Sequence, residues 1–156
     1  MDVKSLVRKK VQTTLESSTL RDVWTIIFKK EINGVPVLDK KKHVVGIVCR
    51  EDILHALYPD YQEYLDEMLS SGKITQPSKK IQEILSFPVR KIMQKNVIFC
   101  RLSTPMMRAL ARMIARRVDQ LPVLDDKDTL VGVVSKKDVF NTLYRTHKKM
   151  FAFRRR

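Results

Sequence analysis

Val35-Pro36-Val37-Leu38-Asp39, followed by Val45-Gly46-Ile47-Val48, returns 86 residues further along the chain as Leu121-Pro122-Val123-Leu124-Asp125, followed by Val131-Gly132-Val133-Val134. In the same register Asp52 falls on Asp138, and Leu57-Tyr58 on Leu143-Tyr144. Eleven of the 24 positions between 35–58 and 121–144 are identical, where about one or two would match by chance at ordinary residue frequencies. The chain therefore carries an internal duplication. The register extends upstream, where Val3-Lys4-Ser5-Leu6-Val7 matches Val89-Arg90-Lys91-Ile92-Met93 in pattern and Ser17-Ser18-Thr19 matches Ser103-Thr104-Pro105. The division that follows is a first repeat over 1–58, a bridge over 59–88, a second repeat over 89–145 and a basic tail over 146–156.

Each repeat reads as strand, helix, strand, strand, helix. Short strands are expected near 11–13 and 97–99. Ser18 and Thr104 are candidate helix N-caps, the latter followed by Pro105 at the first helical position. Apolar stripes at helical spacing, Leu20, Val23, Trp24 and Ile27 in one copy and Met106, Leu110, Met113 and Ile114 in the other, are assigned to the core. Two Val- and Ile-rich runs separated by polar turns read as a strand pair. A closing helix follows with apolar Ile53, Leu54, Leu57 and Tyr58, or Val139, Phe140, Leu143 and Tyr144. In the bridge, Tyr61 to Ser70 reads as an acidic helix, Ser71-Gly72 as a break and Ser78 to Ser86 as a second helix. The fold class is α+β. Because one repeat alone buries little apolar surface, the two are expected to pack through their sheets with pseudo-twofold symmetry.

These residues resemble the CBS (cystathionine-β-synthase) domain, two of which in tandem form a Bateman module. The resemblance is carried by Ile32-Asn33-Gly34-Val35-Pro36-Val37-Leu38-Asp39 and Val118-Asp119-Gln120-Leu121-Pro122-Val123-Leu124-Asp125, each followed by a valine-glycine strand and a residue pair spaced Ser/Thr-x-x-Asp. It implies clefts between the repeats that hold AMP, ADP, ATP, S-adenosylmethionine or related adenosine compounds. A Ser or Thr at a strand end and an Asp one turn later converge, and the carboxylate accepts from ribose hydroxyls in charge-assisted bonds worth about 1.5–3 kcal/mol each. The second repeat matches fully with Ser135 and Asp138, and the family pattern adds Met93, Ile98, Asp119, Gln120 and Lys136 to this primary site. Lys136 and Lys137 open the following helix, where anions are favoured. The first repeat carries Cys49 in place of the hydroxyl but keeps Asp52, and a weaker secondary site would be lined by Val7, Gln12, Asn33 and Gly34. Both aspartates could equally serve as N-terminal helix caps.

Other chemistry is not signalled. Gly132-Val133-Val134-Ser135-Lys136 is not a nucleophile elbow, there is no glycine-rich phosphate loop, and His43, His55, His147, Cys49 and Cys100 lack metal-ligand spacing. The expectation is a regulatory ligand-binding module rather than an enzyme, needing neither metal nor catalytic cofactor. No apolar run is long enough to span a membrane and the first ten residues lack a signal-like apolar stretch, so the reading is cytoplasmic. The net charge of +14 keeps an alternative open, a basic structural adaptor that associates with nucleic acid or an acidic partner. The tail, Tyr144 to Arg156, mixes aromatics with cations and reads as an extra helix packed on the module or on a second subunit. A homodimer and an effector protein are the expected partners.

Overall fold

The computed structural model describes residues 1–57, 65–66, 68–70 and 77–152. Tyr58, the start of the expected Tyr61–Ser70 helix, the Ser71-Gly72 break, Phe153 and the three terminal arginines lie outside the described residues. The chain divides into two compact units, Gln12–Val97 and Met1–Val11 with Ile98–Arg156. The α+β expectation holds, with one three-stranded sheet in each unit.

In the Gln12–Val97 unit, β1 (Thr14–Leu15) runs parallel to β2 (Gly34–Leu38), which pairs antiparallel with β3 (Val44–Cys49). Helices α1 (Leu20–Lys30), α2 (Arg50–Leu57) and α3 (Pro77–Leu85) complete it, and residues 65–66 and 68–70 are also helical. The Met1–Val11 and Ile98–Arg156 unit repeats the plan with β4 (Cys100–Arg101), α4 (Met106–Ala115), β5 (Gln120–Leu124), β6 (Leu130–Ser135) and α5 (Lys136–Thr146), and ends in a 3-10 turn, Lys148–Phe151. The short strands lie a few residues beyond 11–13 and 97–99, because their places are set by pairing with Val37-Leu38 and Val123-Leu124.

The motif residues are explained by the sheet. Pro36 stands opposite Ile47, whose own N–H and C=O both turn away to bond Gln94 (3.1 and 2.9 Å). Pro122 stands likewise opposite Val133, whose N–H and C=O bond Arg8 (3.1 and 3.0 Å). A residue without an N–H is tolerated at such a pair, since no ladder bond is asked of it. The motif aspartates shape the turn that follows: Asp39 Oδ1 accepts from the amides of Lys41 and His43, and Asp125 Oδ1 from those of Lys127 and Thr129. The His43 amide is the chief reason the Asp39 carboxyl is held below its ordinary value. Lys42 and Asp128, equivalent residues, take the left-handed conformation that closes each turn.

The leading segments cross over. Val3, at the head of the first repeat, is fully buried among Leu121, Val134, Met113 and Val139 of the second. Val89, at the head of the second, is fully buried among Val35, Val48, Ile27 and Ile53 of the first. Full burial of a valine contributes about 1.5 kcal/mol or more, and backbone bonds add to it: Val3 N to Thr104 O (2.9 Å) and Val89 N to Ser18 O (2.8 Å). The units thus cut across the repeat boundaries read from the sequence.

Three local expectations are corrected. The α1 cap is Thr19, one residue past Ser18, in a reciprocal box with Asp22. Thr104 does not cap α4; its hydroxyl accepts from the Arg101 amide at 2.9 Å, bracing β4 instead. Ile114, assigned to a core stripe, is exposed, as are the apolar closing-helix residues Leu54, Phe140 and Tyr144, while Ala109, which was not in the stripe, is fully buried. The stripes pack through a narrower face than the apolar spacing covers.

Candidate functional site

In the unit that holds the second repeat, Ser135 ends β6 and caps α5. Its hydroxyl accepts from the Asp138 amide (3.2 Å) and donates to Asp138 Oδ2 (2.7 Å), while the Ser135 amide donates to the same oxygen (2.8 Å). The capping expectation for Asp138 is therefore realised, and it fixes the carboxylate rotamer. Arg8 Nε donates to Oδ2 as well, at 3.1 Å. Among the described residues, the three bonds into this carboxylate fall on Oδ2. A carboxylate has about four lone-pair sites, so Oδ1 retains acceptor capacity.

The surrounding residues follow from the strand register. Gln120 is buried directly opposite Ser135. Asp119 accepts from the Lys136 amide through its carbonyl (2.9 Å) and from Lys136 Nζ through its carboxylate (3.3 Å). Ile98 packs at the edge of the core beneath. Val7 lies against Gly132, whose missing side chain admits it.

The repeat-equivalent corner in the Gln12–Val97 unit is built differently. Asp52 accepts from the Cys49 amide at 2.6 Å on Oδ2 and from Gln94 Nε2 at 2.8 Å on Oδ1. Both carboxylate oxygens are engaged. Gly34 pairs with Cys49, the Asn33 carbonyl accepts from the Arg50 amide (3.0 Å), and the Met93 side chain covers Gly46. Gln12 is exposed in this unit.

Two residues are regrouped relative to the sequence reading. Met93 belongs with Cys49 and Asp52, and Val7 with Ser135 and Asp138. The physical reason is the crossover: each leading segment bonds the open edge of the other repeat's third strand through Ile47 or Val133. Sequence reasoning also missed Arg8 and Gln94. They are equivalent under the shift of 86 residues, so the register singles them out once the crossover is known.

Three comparisons bear on this geometry. The family model described as "CBS domain" matches residues 3–59 and 89–145. The Methanocaldococcus jannaschii protein MJ1426 is 27% identical over 154 residues, covering 92% of this chain and 91% of its own. Inosine-5'-monophosphate dehydrogenase of the same organism is 25% identical over 134 residues, and the chain spans 22% of that enzyme's length. Among solved structures, the CBS domain pair of MJ0100 in complex with 5'-methylthioadenosine and S-adenosyl-L-methionine superposes with a TM-score of 0.69 at 22% identity, covering 94% of this chain and 98% of that one. CBSX2 in complex with AMP gives 0.71 at 22% identity, with 93% and 97% covered. At that identity the likeness speaks to fold.

Proposed function

The chain belongs to the CBS-domain family and carries two copies of the domain, and on that premise we propose that it is a cytoplasmic, non-catalytic regulatory module that senses an adenosine-containing nucleotide. The ligand is AMP, ADP, ATP or S-adenosylmethionine, its ribose hydroxyls donate to Asp138, and the resulting change is passed to an effector protein. The observation that carries the reading is the Ser135–Asp138 pair, which holds the carboxylate rigidly by Oδ2 while Oδ1 keeps acceptor capacity. The complexes of MJ0100 with 5'-methylthioadenosine and S-adenosyl-L-methionine and of CBSX2 with AMP support an adenosine-type ligand. Met93, Cys49, Asp52, Asn33, Gly34 and Gln12 belong to a second, weaker site, because the Cys49 thiol is a poorer partner than a hydroxyl. No helix among the described residues is long and apolar enough to cross a membrane.

Isothermal titration of nucleotide-stripped protein with the four ligands tests this reading, beside Asp138→Ala and Asp138→Asn. Loss of one charge-assisted bond predicts weakening of about 10- to 150-fold. Unchanged affinity in both folded variants would remove Asp138 from the site.

We further propose a homodimer. Phe28 and Leu54 are 78% and 59% exposed, and their repeat equivalents Ile114 and Phe140 are 60% and 71% exposed. In the first repeat they edge an apolar groove lined also by Trp24, Ile27 and Ile53. Such surface on both repeats is suited to self-association.

A second reading retains the nucleic-acid adaptor. From Phe99 to Val118 the chain has five arginines and no Asp or Glu, and Arg108, Arg112 and Arg116 are exposed at i, i+4 and i+8 along α4. RNA binding that persists at about 150 mM salt supports this reading, and binding that vanishes between about 50 and 200 mM salt is generic attraction.

A further inference from the structure

The two aspartate corners are equivalent by duplication but not by charge. Asp138 is met by the Arg8 guanidinium, and the chain continues past it with exposed Lys9 and Lys10. Lys136 and exposed Lys137 open the helix on which Asp138 sits, and Asp119 is the other carboxylate at this corner. The same positions around Asp52 are Gln94, Lys95 and Asn96, then Arg50 and Glu51, with Asn33 in place of Asp119. Counted over these positions, there are five cations and two carboxylates in the second repeat, and two of each in the first. The charge asymmetry lies in the residues that contact or flank the aspartate, beside the exchange of Ser135 for Cys49 within the motif.

Arg8 also has the right attachment. It is tied to Asp138 through Nε, and a guanidinium carries four further N–H donors on its two Nη atoms. Among the described residues no acidic group other than Asp138 pairs with Arg8. The side chain is half exposed, so it is open to solvent beside the carboxylate. Planar forks of this kind recognise phosphate oxygens bidentately. A ribose bonded to Oδ1 leaves Arg8 on Oδ2, one side chain away from the 5' substituent.

We infer that Arg8 makes the Asp138 site selective for a phosphate-bearing adenosine ligand, AMP, ADP or ATP, over neutral adenosine or the sulfonium cation of S-adenosylmethionine, and that the Asp52 corner lacks this selectivity because Gln94 replaces the guanidinium. The inference rests on the ribose reading of Asp138. Gln120, opposite Ser135, supplies no cation, and the cation arrives instead from the leading segment of the other repeat. A positive field of this density also disfavours a cationic ligand directly.

The test is titration of the full chain with AMP, ATP, adenosine and S-adenosylmethionine, counting the binding step that Asp138→Ala removes. Wild type should bind AMP at least tenfold more tightly than adenosine. Arg8→Gln should narrow that ratio to within about threefold, and Arg8→Lys, which keeps the charge but not the fork, should retain part of it. Circular dichroism and melting of each variant verify the fold. Equal affinity for AMP and adenosine in wild type, or a ratio untouched by Arg8→Gln, overturns the inference while an Asp138-dependent step leaves the ribose reading standing. Absence of any Asp138-dependent step overturns both.

Discussion

Replacing Gly132 with alanine tests the crossover that brings Arg8 to Asp138. A Cβ at Gly132 would run into Val7 Cγ2 and come within 2.6 Å of the Arg8 carbonyl oxygen. The second of these is backbone, held on both sides by its pair with Val133, so the methyl can be admitted only by lifting the segment. Overpacking of this kind costs about 1–3 kcal/mol, and weakening the two Arg8–Val133 backbone bonds adds about 1 kcal/mol each. Against this stands about 0.5–1 kcal/mol from the smaller conformational entropy of the unfolded alanine chain, since Gly132 has no left-handed φ. The net expectation is a loss of about 2–4.5 kcal/mol, or about 4–18 °C in Tm for a chain of this size. The equivalent Gly46→Ala meets the Met93 side chain first, Sδ at 2.5 Å and Cγ at 2.9 Å, with backbone only at 3.1 Å. A methionine with three rotatable bonds can move aside, so this variant should stay within about 1 kcal/mol of wild type. Thermal melts of the two variants in parallel are the assay. Gly132→Ala melting within about 2 °C of wild type, or Gly46→Ala proving the more damaging, would refute the tight placement of Val7 and Arg8 on β6.

Thr19→Ala should cost about 1 kcal/mol in urea unfolding, because it removes one half of a reciprocal capping box. Ser18→Ala should move stability by less than about 0.5 kcal/mol, which separates the two cap assignments. Cys100 is buried and its thiol is pushed up to about 11, so a thiol-specific dye at pH 8 should label Cys49 in the native protein and reach Cys100 only on unfolding. The native state holds the Cys100 proton more tightly than the unfolded chain does. Its contribution to stability is complete below pH 9 and is lost as pH rises through about 11, readable as a falling Tm over that window. Phe28→Glu combined with Phe140→Glu should convert a dimer to monomer in light scattering with the fold retained, and a wild-type monomer at micromolar concentration would exclude the dimer.

Most of the fold was legible because the duplication supplied an internal control on every assignment. Val35-Pro36-Val37 and Leu121-Pro122-Val123 had to occupy equivalent strands, and they do. The Ser135 and Asp138 convergence was legible for a different reason: a strand end and a helix start are adjacent in sequence, so local geometry alone joins them. What escaped were relations fixed by tertiary structure. An apolar Val3 or Val89 says that a residue is buried but not in which core. The exposed Phe140 and Ile114 were hidden by a spacing that fits a wider apolar stripe than the helices bury. Thr104 has the composition of a cap, yet the Arg101 amide claims its hydroxyl.

The crossover has a consequence for how a duplicated site diverges. Within a self-contained repeat, the residues around its aspartate would come from one stretch of chain. Here Asp138 answers to Arg8, which belongs to the first repeat in sequence, and Asp52 to Gln94, which belongs to the second. A substitution at position 8 therefore changes what contacts the other repeat's aspartate while leaving that repeat's own motif, Ser135-x-x-Asp138, intact. The two corners keep the aspartate, which in each accepts from the amide at the start of α2 or α5, and differ in the residue that contacts it. In the proposed sensor, a ligand at Asp138 would act on the segment that anchors Val3 in the core, since Arg8 joins the carboxylate through its side chain and Val133 through its backbone. A ligand that draws the Arg8 fork toward its phosphate loads that segment, which gives the proposed sensor a defined mechanical element through which binding reaches the rest of its unit.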